Sequence, residues 1–125
     1  MRFLEMHIEV EDVDRSVEFY GSLLPHQRIS RWSDGNVAAL ILPDGSAFGI
    51  WKHGTRGLFD GQAGKHLHFA FQVDEEEYER LKARLNELGL ETFEHRWPKG
   101  GKSIYFFDPD GHQGEFMTVD WFGIK

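Results

Sequence analysis

Three residues with metal-ligating side chains, Glu5, His68 and Glu115, occupy equivalent positions in an internal repeat of this 125-residue chain. One imidazole and two carboxylates suit a hard to borderline divalent ion such as Mn²⁺, Fe²⁺, Ni²⁺ or Zn²⁺. The fourth equivalent position is Gly49, which would leave coordination positions for water or substrate. The alternative is that these polar side chains simply face solvent, because Glu and His are common enough in this chain for the coincidence to arise by chance.

Residues near this set could move protons or line a cavity. His7 follows Glu5 by two positions and therefore shares its strand face, and Tyr105 shares a face with Ser103 by the same parity. We expect His7 or Tyr105 to transfer protons. The candidate cavity residues are Trp51, His66 and Ser103. Trp51 could instead pack in the core, and His66, at the start of a strand, could be plainly exposed.

The elements that position these residues repeat along the chain. Leu4–Val10 and His66–Val73 alternate between polar and apolar residues, as half-buried strands do. Each run is followed by an aspartate, Asp12 or Asp74, and then by apolar residues at helical spacing. Aspartate is a favourable helix N-cap, and Gly89 fits a left-handed C-cap of the second helix. The sequence therefore predicts a strand followed by a helix in each half.

Each half then continues in strands joined by a Pro-Asp-Gly turn. Proline fixes φ and glycine accepts a positive φ, so this tripeptide predicts a tight turn between two strands. An additional strand is predicted before each hairpin, at residues 27–32 and 90–95. The hairpin strands are predicted at Val37–Leu42 and Ala47–Trp51 in the first half, and at Ser103–Phe107 and Gly114–Val119 in the second.

These elements predict an α+β fold. Two βαβββ modules, residues 1–52 and 66–125, would form a half-open barrel sheet around a cavity with the helices outside. The Gly-rich linker 53–65 would join them. Neither module is long enough for an independent core, so we expect residues 1–125 to form a single domain.

Composition excludes several classes of function. The chain has no cysteine, which rules out disulfides, thiolate metal sites and cysteine nucleophiles and is compatible with the cytoplasm, where we expect the protein. Its net charge of −7 argues against nucleic acid and anionic membranes as partners. Its apolar runs reach about five residues, far short of the roughly 20 that a membrane helix needs.

Other charged residues offer weaker signals. Lys99 and Lys102 flank two glycines in a predicted loop and could meet an anionic substrate, although such loops are often only solvated. Four histidines have no supporting pattern and are interpreted as surface residues: His26, His53, His95 and His112.

Three segments carry a resemblance to a known superfamily. They are SIYFFDPDGHQGEFM at 103–117, DVDRSVEFYGSLL at 12–24 and HLHFAFQVD at 66–74. These segments resemble the last hairpin, the first helix and the strand opening the second module of the vicinal-oxygen-chelate superfamily. That superfamily includes glyoxalase I, extradiol dioxygenases, fosfomycin-resistance enzymes and bleomycin-resistance proteins. The resemblance covers nearly the whole chain and implies the paired βαβββ architecture.

The resemblance also implies roles for particular residues. Glu115 matches the carboxylate ligand of the superfamily, and His68 matches the histidine that opens the second module. Glu5 stands where most metal-binding members carry His or Gln. His7 matches a substrate-facing position, and a bulge in the first strand could bring it in as the ligand in place of Glu5. Tyr105 matches a tyrosine that touches substrate in fosfomycin-type members.

Two function classes follow. Gly49 stands where glyoxalase I members usually carry a fourth ligand, which favours a three-ligand site. The first class is therefore an enzyme, a lyase, dioxygenase or transferase, that uses one divalent metal ion to chelate vicinal oxygens of a small-molecule substrate. The alternative is a metal-free protein of antibiotic resistance that sequesters a bleomycin-type molecule, which the acidic charge and the tryptophans favour. The superfamily commonly dimerises and half-open sheets leave edges to cover, so we expect a homodimer.

Overall fold

The computed structural model describes residues 1–54 and 68–119. The chain divides into two compact units, Met1–Gly64 (unit 1) and Lys65–Lys125 (unit 2). Of the predicted linker, the structure describes only His53 and Gly54, which form a turn. His66 lies outside the described residues.

Unit 1 folds as one strand, one helix and three further strands. The elements are β1 (Glu5–Val10), α1 (Val13–Leu23), β2 (Arg28–Trp32), β3 (Val37–Ile41) and β4 (Ala47–Lys52). The sheet order is β1-β4-β3-β2, in which β1 and β4 are parallel and the other pairs antiparallel.

Unit 2 repeats this arrangement. Its elements are β5 (His68–Gln72), α2 (Glu75–Glu87), β6 (Thr92–Arg96), β7 (Lys102–Phe107) and β8 (Gln113–Met117). The order β5-β8-β7-β6, again with one parallel pair, confirms the predicted βαβββ pattern in each unit and the α+β class. The strand predicted at 90–95 begins two residues later, and β8 ends two residues before the predicted Val119.

Local sequence determines where the helices begin and end. The Asp12 carboxylate accepts a hydrogen bond from the backbone N–H of Arg15 at 3.1 Å, and Asp74 accepts one from Glu77 at 2.8 Å. Both N-caps are as predicted. Gly89 follows α2 with φ +73°, which confirms the left-handed C-cap. Neither described helix is long and apolar enough to cross a bilayer.

Each sheet packs one face against the helix of its own unit. In unit 1 the rings of Tyr20 on α1 and Phe48 on β4 lie 4.6 Å apart, and both side chains are buried. In unit 2 Phe106 and Phe116 stack at 5.3 Å on the face that also buries Ile104. Burying each such side chain stabilises the fold by roughly 1.5–3 kcal/mol. Alternate residues of each strand therefore project from the opposite face, which we call the far face.

The strand registers confirm the equivalence that the repeat predicted. His7 pairs with Gly49 across the parallel strands of unit 1, and Ala70 pairs with Glu115 across those of unit 2. Glu5 precedes His7 by two residues and His68 precedes Ala70 by two. Glu5 is therefore the counterpart of His68, and Gly49 is the counterpart of Glu115.

Candidate functional site

The far face of unit 2 brings a histidine and a buried carboxylate together. His68 opens β5 and Glu115 lies on the neighbouring β8, so both side chains project from this face. His68 Nε2 is 3.8 Å from Glu115 Oε1. The Glu115 side chain is only 5% exposed, whereas that of His68 is 41% exposed. The His68 imidazole therefore lies closer to solvent, and the Glu115 carboxylate lies beneath it.

A chain of hydrogen-bond donors leads to this carboxylate. The indole N–H of Trp97 donates to Ser103 Oγ at 2.9 Å. The Ser103 hydroxyl bonds to Tyr105, and the Tyr105 hydroxyl donates to Glu115. Burial raises the pKa of Tyr105, as do the charge of Glu115 and the bond to it, while the Ser103 bond opposes the shift. Tyr105 is therefore a protonated donor at neutral pH.

Ser103, predicted to line the cavity, lies on the far face but is fully buried. Its hydroxyl contacts Trp97 and Tyr105 rather than open space. Its position supports an indirect role, in which it orients the tyrosine that bonds to Glu115.

An open groove of about 670 Å³ extends from His68 across this face. Its aromatic walls include Phe93 and Phe107, which are 67% and 57% exposed. His95 and Trp97 meet edge to face with ring centroids 4.3 Å apart. The described residues that line the groove include no lysine or arginine: they are His68, Phe93, His95, Trp97, Tyr105, Phe107 and Gln113.

Sequence reasoning missed four of these lining residues, namely Phe93, His95, Trp97 and Gln113. Their place on this face follows from the observed strand register, in which Phe93 pairs with Tyr105 and His95 pairs with Ser103. The sequence alone does not give that register. His95, interpreted as a surface histidine, is exposed but lines the groove.

Two further expectations need correction. Lys102 is turned to the helix face, where its ammonium lies 2.8 Å from Glu79 and 3.1 Å from Glu75. Lys102 therefore forms ion pairs with carboxylates of α2 and is not placed to contact an anionic substrate in the groove. His112 is not simply a surface residue either, because its Nδ1 lies 2.8 Å from the buried carboxylate of Asp108.

The far face of unit 1 carries Glu5, His7 and Trp51. The Trp51 indole N–H donates to His7 Nδ1 at 2.6 Å, and His7 Nε2 lies 3.3 Å from Glu5 Oε2. The His7 ring lies directly over Gly49, where a Cβ would overlap its atoms. The His7 ring therefore fills the space beside Gly49, and the expectation that Gly49 leaves coordination positions for water or substrate stays a prediction.

Strand β1 contains no bulge. Its pairing with β4 runs residue by residue from Glu5 opposite Ala47 to Val10 opposite Lys52. The alternative in which a bulge brings His7 into the position of Glu5 is therefore not observed.

Residues 2–116 match the sequence profile of the Glyoxalase/Bleomycin resistance protein/Dioxygenase superfamily. The chain belongs to this superfamily. It is 33% identical over 112 residues to glutathione transferase FosA of Serratia marcescens, covering 86% of this chain and 74% of that protein. It is 31% identical over 113 residues to metallothiol transferase FosB of Lysinibacillus sphaericus, covering 87% and 76%.

Solved structures of superfamily members share the fold. Lactoylglutathione lyase from Agrobacterium tumefaciens superposes with a TM-score of 0.78 at 21% identity, covering 99% of this chain and 98% of that one. Fosfomycin resistance protein FosX from Mesorhizobium loti gives 0.71 at 23% identity, covering 97% and 93%. The resemblance inferred from the sequence is confirmed, and the enzyme names among the relatives support an enzyme of the superfamily type.

The donor pair of unit 2 fits a divalent ion in chemistry and spacing. Ligand atoms about 2.1 Å from one ion lie roughly 3 Å apart when they are adjacent, so His68 and Glu115 at 3.8 Å need only a small approach. Within residues 1–54 and 68–119, no three His, Asp or Glu side chains are drawn together as a complete metal site. Unit 1 offers the pair Glu5 and His7, and unit 2 the pair His68 and Glu115.

Proposed function

We propose that this protein is a divalent-metal-dependent enzyme that binds vicinal oxygens of a small-molecule substrate. The observation that carries the proposal is the Glu115 carboxylate, almost fully buried on the far face and 3.8 Å from His68 Nε2. Burying a carboxylate is costly unless donors or a cation compensate it. Tyr105 supplies one donor, and a cation held by His68 and Glu115 would supply the rest.

Glu5 is the proposed third ligand, because the repeat makes it the counterpart of His68. A divalent ion held by Glu5, His68 and Glu115 would act as a Lewis acid for oxygens that gain negative charge. Tyr105 orients Glu115 through its hydroxyl and, since its pKa is raised, serves as a proton donor rather than a base. His7 Nε2 lies 3.3 Å from Glu5 Oε2 and is placed to orient this ligand.

The relatives support a transferase as the reaction type and antibiotic resistance as the role. Their names are glutathione transferase, metallothiol transferase and fosfomycin resistance protein. The exposed aromatic rings of Phe93 and Phe107 favour a substrate that carries an apolar or aromatic portion.

Metal analysis of protein purified without a chelating tag tests this function. We expect close to one divalent ion per chain, or uptake of one when Mn²⁺, Fe²⁺, Ni²⁺ or Zn²⁺ is added. Glu115→Gln and His68→Ala should each lose the ion with the fold intact. Glu91→Gln, an exposed carboxylate after α2, is the matched control and should retain it. Wild-type protein that takes up none of the four ions would refute the proposed metal-dependent function.

A second function is favoured by the groove itself. Large exposed aromatic side chains in an open groove can bind a flat molecule without metal. A titration with bleomycin in the presence of EDTA, followed by tryptophan fluorescence, tests sequestration. Saturable quenching that Trp97→Phe reduces would support it, and unchanged fluorescence would exclude it.

Exposed apolar residues on edge strands support the expected homodimer. Ile29 and Trp32 on β2 and Phe93 on β6 are all exposed at sheet edges. Light scattering on the purified protein should give twice the mass of 14.5 kDa. A monomeric mass at working concentration would contradict the proposal.

A further inference from the structure

The His7 ring occupies a place that only glycine at position 49 permits. A Cβ on Gly49 would overlap Nδ1, Cε1 and Cγ of His7. Gly49 is the counterpart of Glu115, whose side chain fills the corresponding place in unit 2. In unit 1 the His7 imidazole, which comes from the adjacent strand, therefore occupies the place that the Glu115 side chain occupies in unit 2.

Trp51 determines which nitrogen of His7 carries the hydrogen. An indole N–H can only donate, so His7 Nδ1, 2.6 Å away, must accept. In a neutral imidazole the hydrogen then lies on Nε2. That nitrogen is the one 3.3 Å from Glu5 Oε2. The rings of Trp51 and His7 also meet edge to face at 5.8 Å, which restricts rotation of the imidazole.

We propose that Gly49 and Trp51 form a seat that holds His7 with its Nε2–H directed at Glu5. In this seat His7 is a positioning residue, and Glu5 is the ligand that unit 1 offers to a metal ion. Metal binding through His7 Nε2 would require that nitrogen to be unprotonated and Nδ1 to carry the hydrogen. Two N–H groups would then oppose each other at Trp51. The statement about Glu5 as ligand rests on the proposed function, whereas the seat does not.

The tautomer of His7 is the direct test. Imidazole ¹⁵N chemical shifts of metal-free, ¹⁵N-histidine-labelled protein distinguish the two neutral tautomers when recorded about two pH units above the ordinary histidine pKa of roughly 6.5. His7→Gln identifies the relevant signal. We expect the Nε2–H form in the wild type and a shift toward the Nδ1–H form in Trp51→Phe, which keeps a ring but loses the donor. Trp32→Phe, on edge strand β2, should leave the signal unchanged.

A double-mutant cycle tests the seat through stability. Gly49→Ala should lower the thermal unfolding midpoint by several degrees, because its Cβ displaces the His7 ring. In a His7→Ala background the same change should have little or no effect. An equal loss in both backgrounds, or an Nδ1–H signal in the wild type, would overturn the seat.

Mn²⁺ titration separates the seat from the metal function. Outer partners of metal ligands typically contribute about 10–100-fold to affinity, so Trp51→Phe should weaken Mn²⁺ binding by about tenfold. One outcome is that the wild type binds no Mn²⁺ while the His7 tautomer and the double-mutant cycle give the expected results. In that case the seat formed by Gly49 and Trp51 is supported and the metal-dependent function is refuted. If Mn²⁺ binds and Trp51→Phe changes neither affinity nor tautomer, the metal function stands and the seat fails.

Discussion

The indole N–H of Trp97 donates to Ser103 Oγ at 2.9 Å, and this bond begins a donor chain that continues through Tyr105 to Glu115. Unit 1 uses the same device, in which Trp51 donates to His7 and His7 faces Glu5. In each unit, a series of polar contacts thus begins at a tryptophan indole and ends at a carboxylate of the proposed metal ligands. That carboxylate is Glu115 in unit 2 and Glu5 in unit 1. A fixed chain holds its carboxylate in one orientation, which lowers the cost of ordering a site around it.

Breaking the chain of unit 2 should change the acidity of Tyr105. Ser103 donates to the phenolic oxygen and lowers its pKa, so Ser103→Ala should raise the pKa of Tyr105 further. Leaving the Trp97 N–H without its acceptor should also cost about 1–2 kcal/mol of stability. Ultraviolet titration, with Tyr105→Phe subtracted to isolate one of the three tyrosines, measures the shift. A lowered pKa in Ser103→Ala would show that the hydroxyl is not the donor.

The Asp108–His112 pair should make stability depend on pH. The hydrogen bond to Asp108 raises the pKa of His112, aided by the charges of Asp108 and Asp110 and opposed by burial. A raised folded-state pKa stabilises the fold fully below the unfolded pKa of about 6.5, and this stabilisation is lost as pH rises through the folded pKa.

His112→Gln removes this contribution. Urea unfolding should show the wild type more stable than the variant by about 1–2 kcal/mol in mild acid, with the difference shrinking as pH rises above neutrality. His26→Gln controls for loss of an imidazole elsewhere. A difference that grows with pH would contradict the assignment.

The sequence was sufficient to predict those features of the fold that depend on residues close together in the chain. The caps at Asp12 and Asp74 depend on residues three positions away, and Gly111 adopts φ +88° in the turn that Pro-Asp-Gly predicts. Period-2 alternation was enough to make Glu5 the counterpart of His68, because strand parity needs no tertiary information.

Side-chain contacts between strands could not be predicted in this way. His7 lies over Gly49 only because β1 pairs with a strand 42 residues later in one particular register. Trp97 follows the edge strand β6, and no periodicity indicates that its indole reaches Ser103. Such contacts depend on ring orientation and on space left by neighbours, which the order of residues does not determine.

Two Gly→Ala substitutions should have opposite effects. At Gly114 a Cβ would overlap the Phe106 ring, which is already stacked on Phe116, so Gly114→Ala should destabilise the fold by about 1–3 kcal/mol. At Gly21, within α1, a Cβ meets only ordinary contact with His26 at 3.8 Å. Gly21→Ala should stabilise by about 0.5–1 kcal/mol through helix propensity. Calorimetric midpoints that move in the same direction would contradict this packing.

Glu5 and His7 should contribute unequally to metal binding. Glu5→Gln removes a proposed ligand and should weaken Mn²⁺ binding at least a hundredfold, whereas His7→Gln removes only the group that faces it and should weaken binding about tenfold. Isothermal titration with Mn²⁺ compares the two variants, with Glu9→Gln on the same strand face as control. A larger loss in His7→Gln than in Glu5→Gln would make His7 the ligand.

The aromatic groove should control substrate binding without affecting the metal. Phe107 is 57% exposed and lines the groove, yet it carries no ligand atom. Phe107→Ala should therefore raise KM for a substrate with an apolar portion by about 10-fold or more, since burying a phenyl ring contributes roughly 1.5–3 kcal/mol. Metal content and kcat should stay near the wild-type values, because the phenyl ring contacts the substrate but neither binds the metal ion nor carries a charge. Phe3→Ala, which removes a ring that is 79% exposed in unit 1, should leave KM unchanged. Loss of metal in Phe107→Ala, or an equal change of KM in both variants, would show that the groove does not bind the substrate.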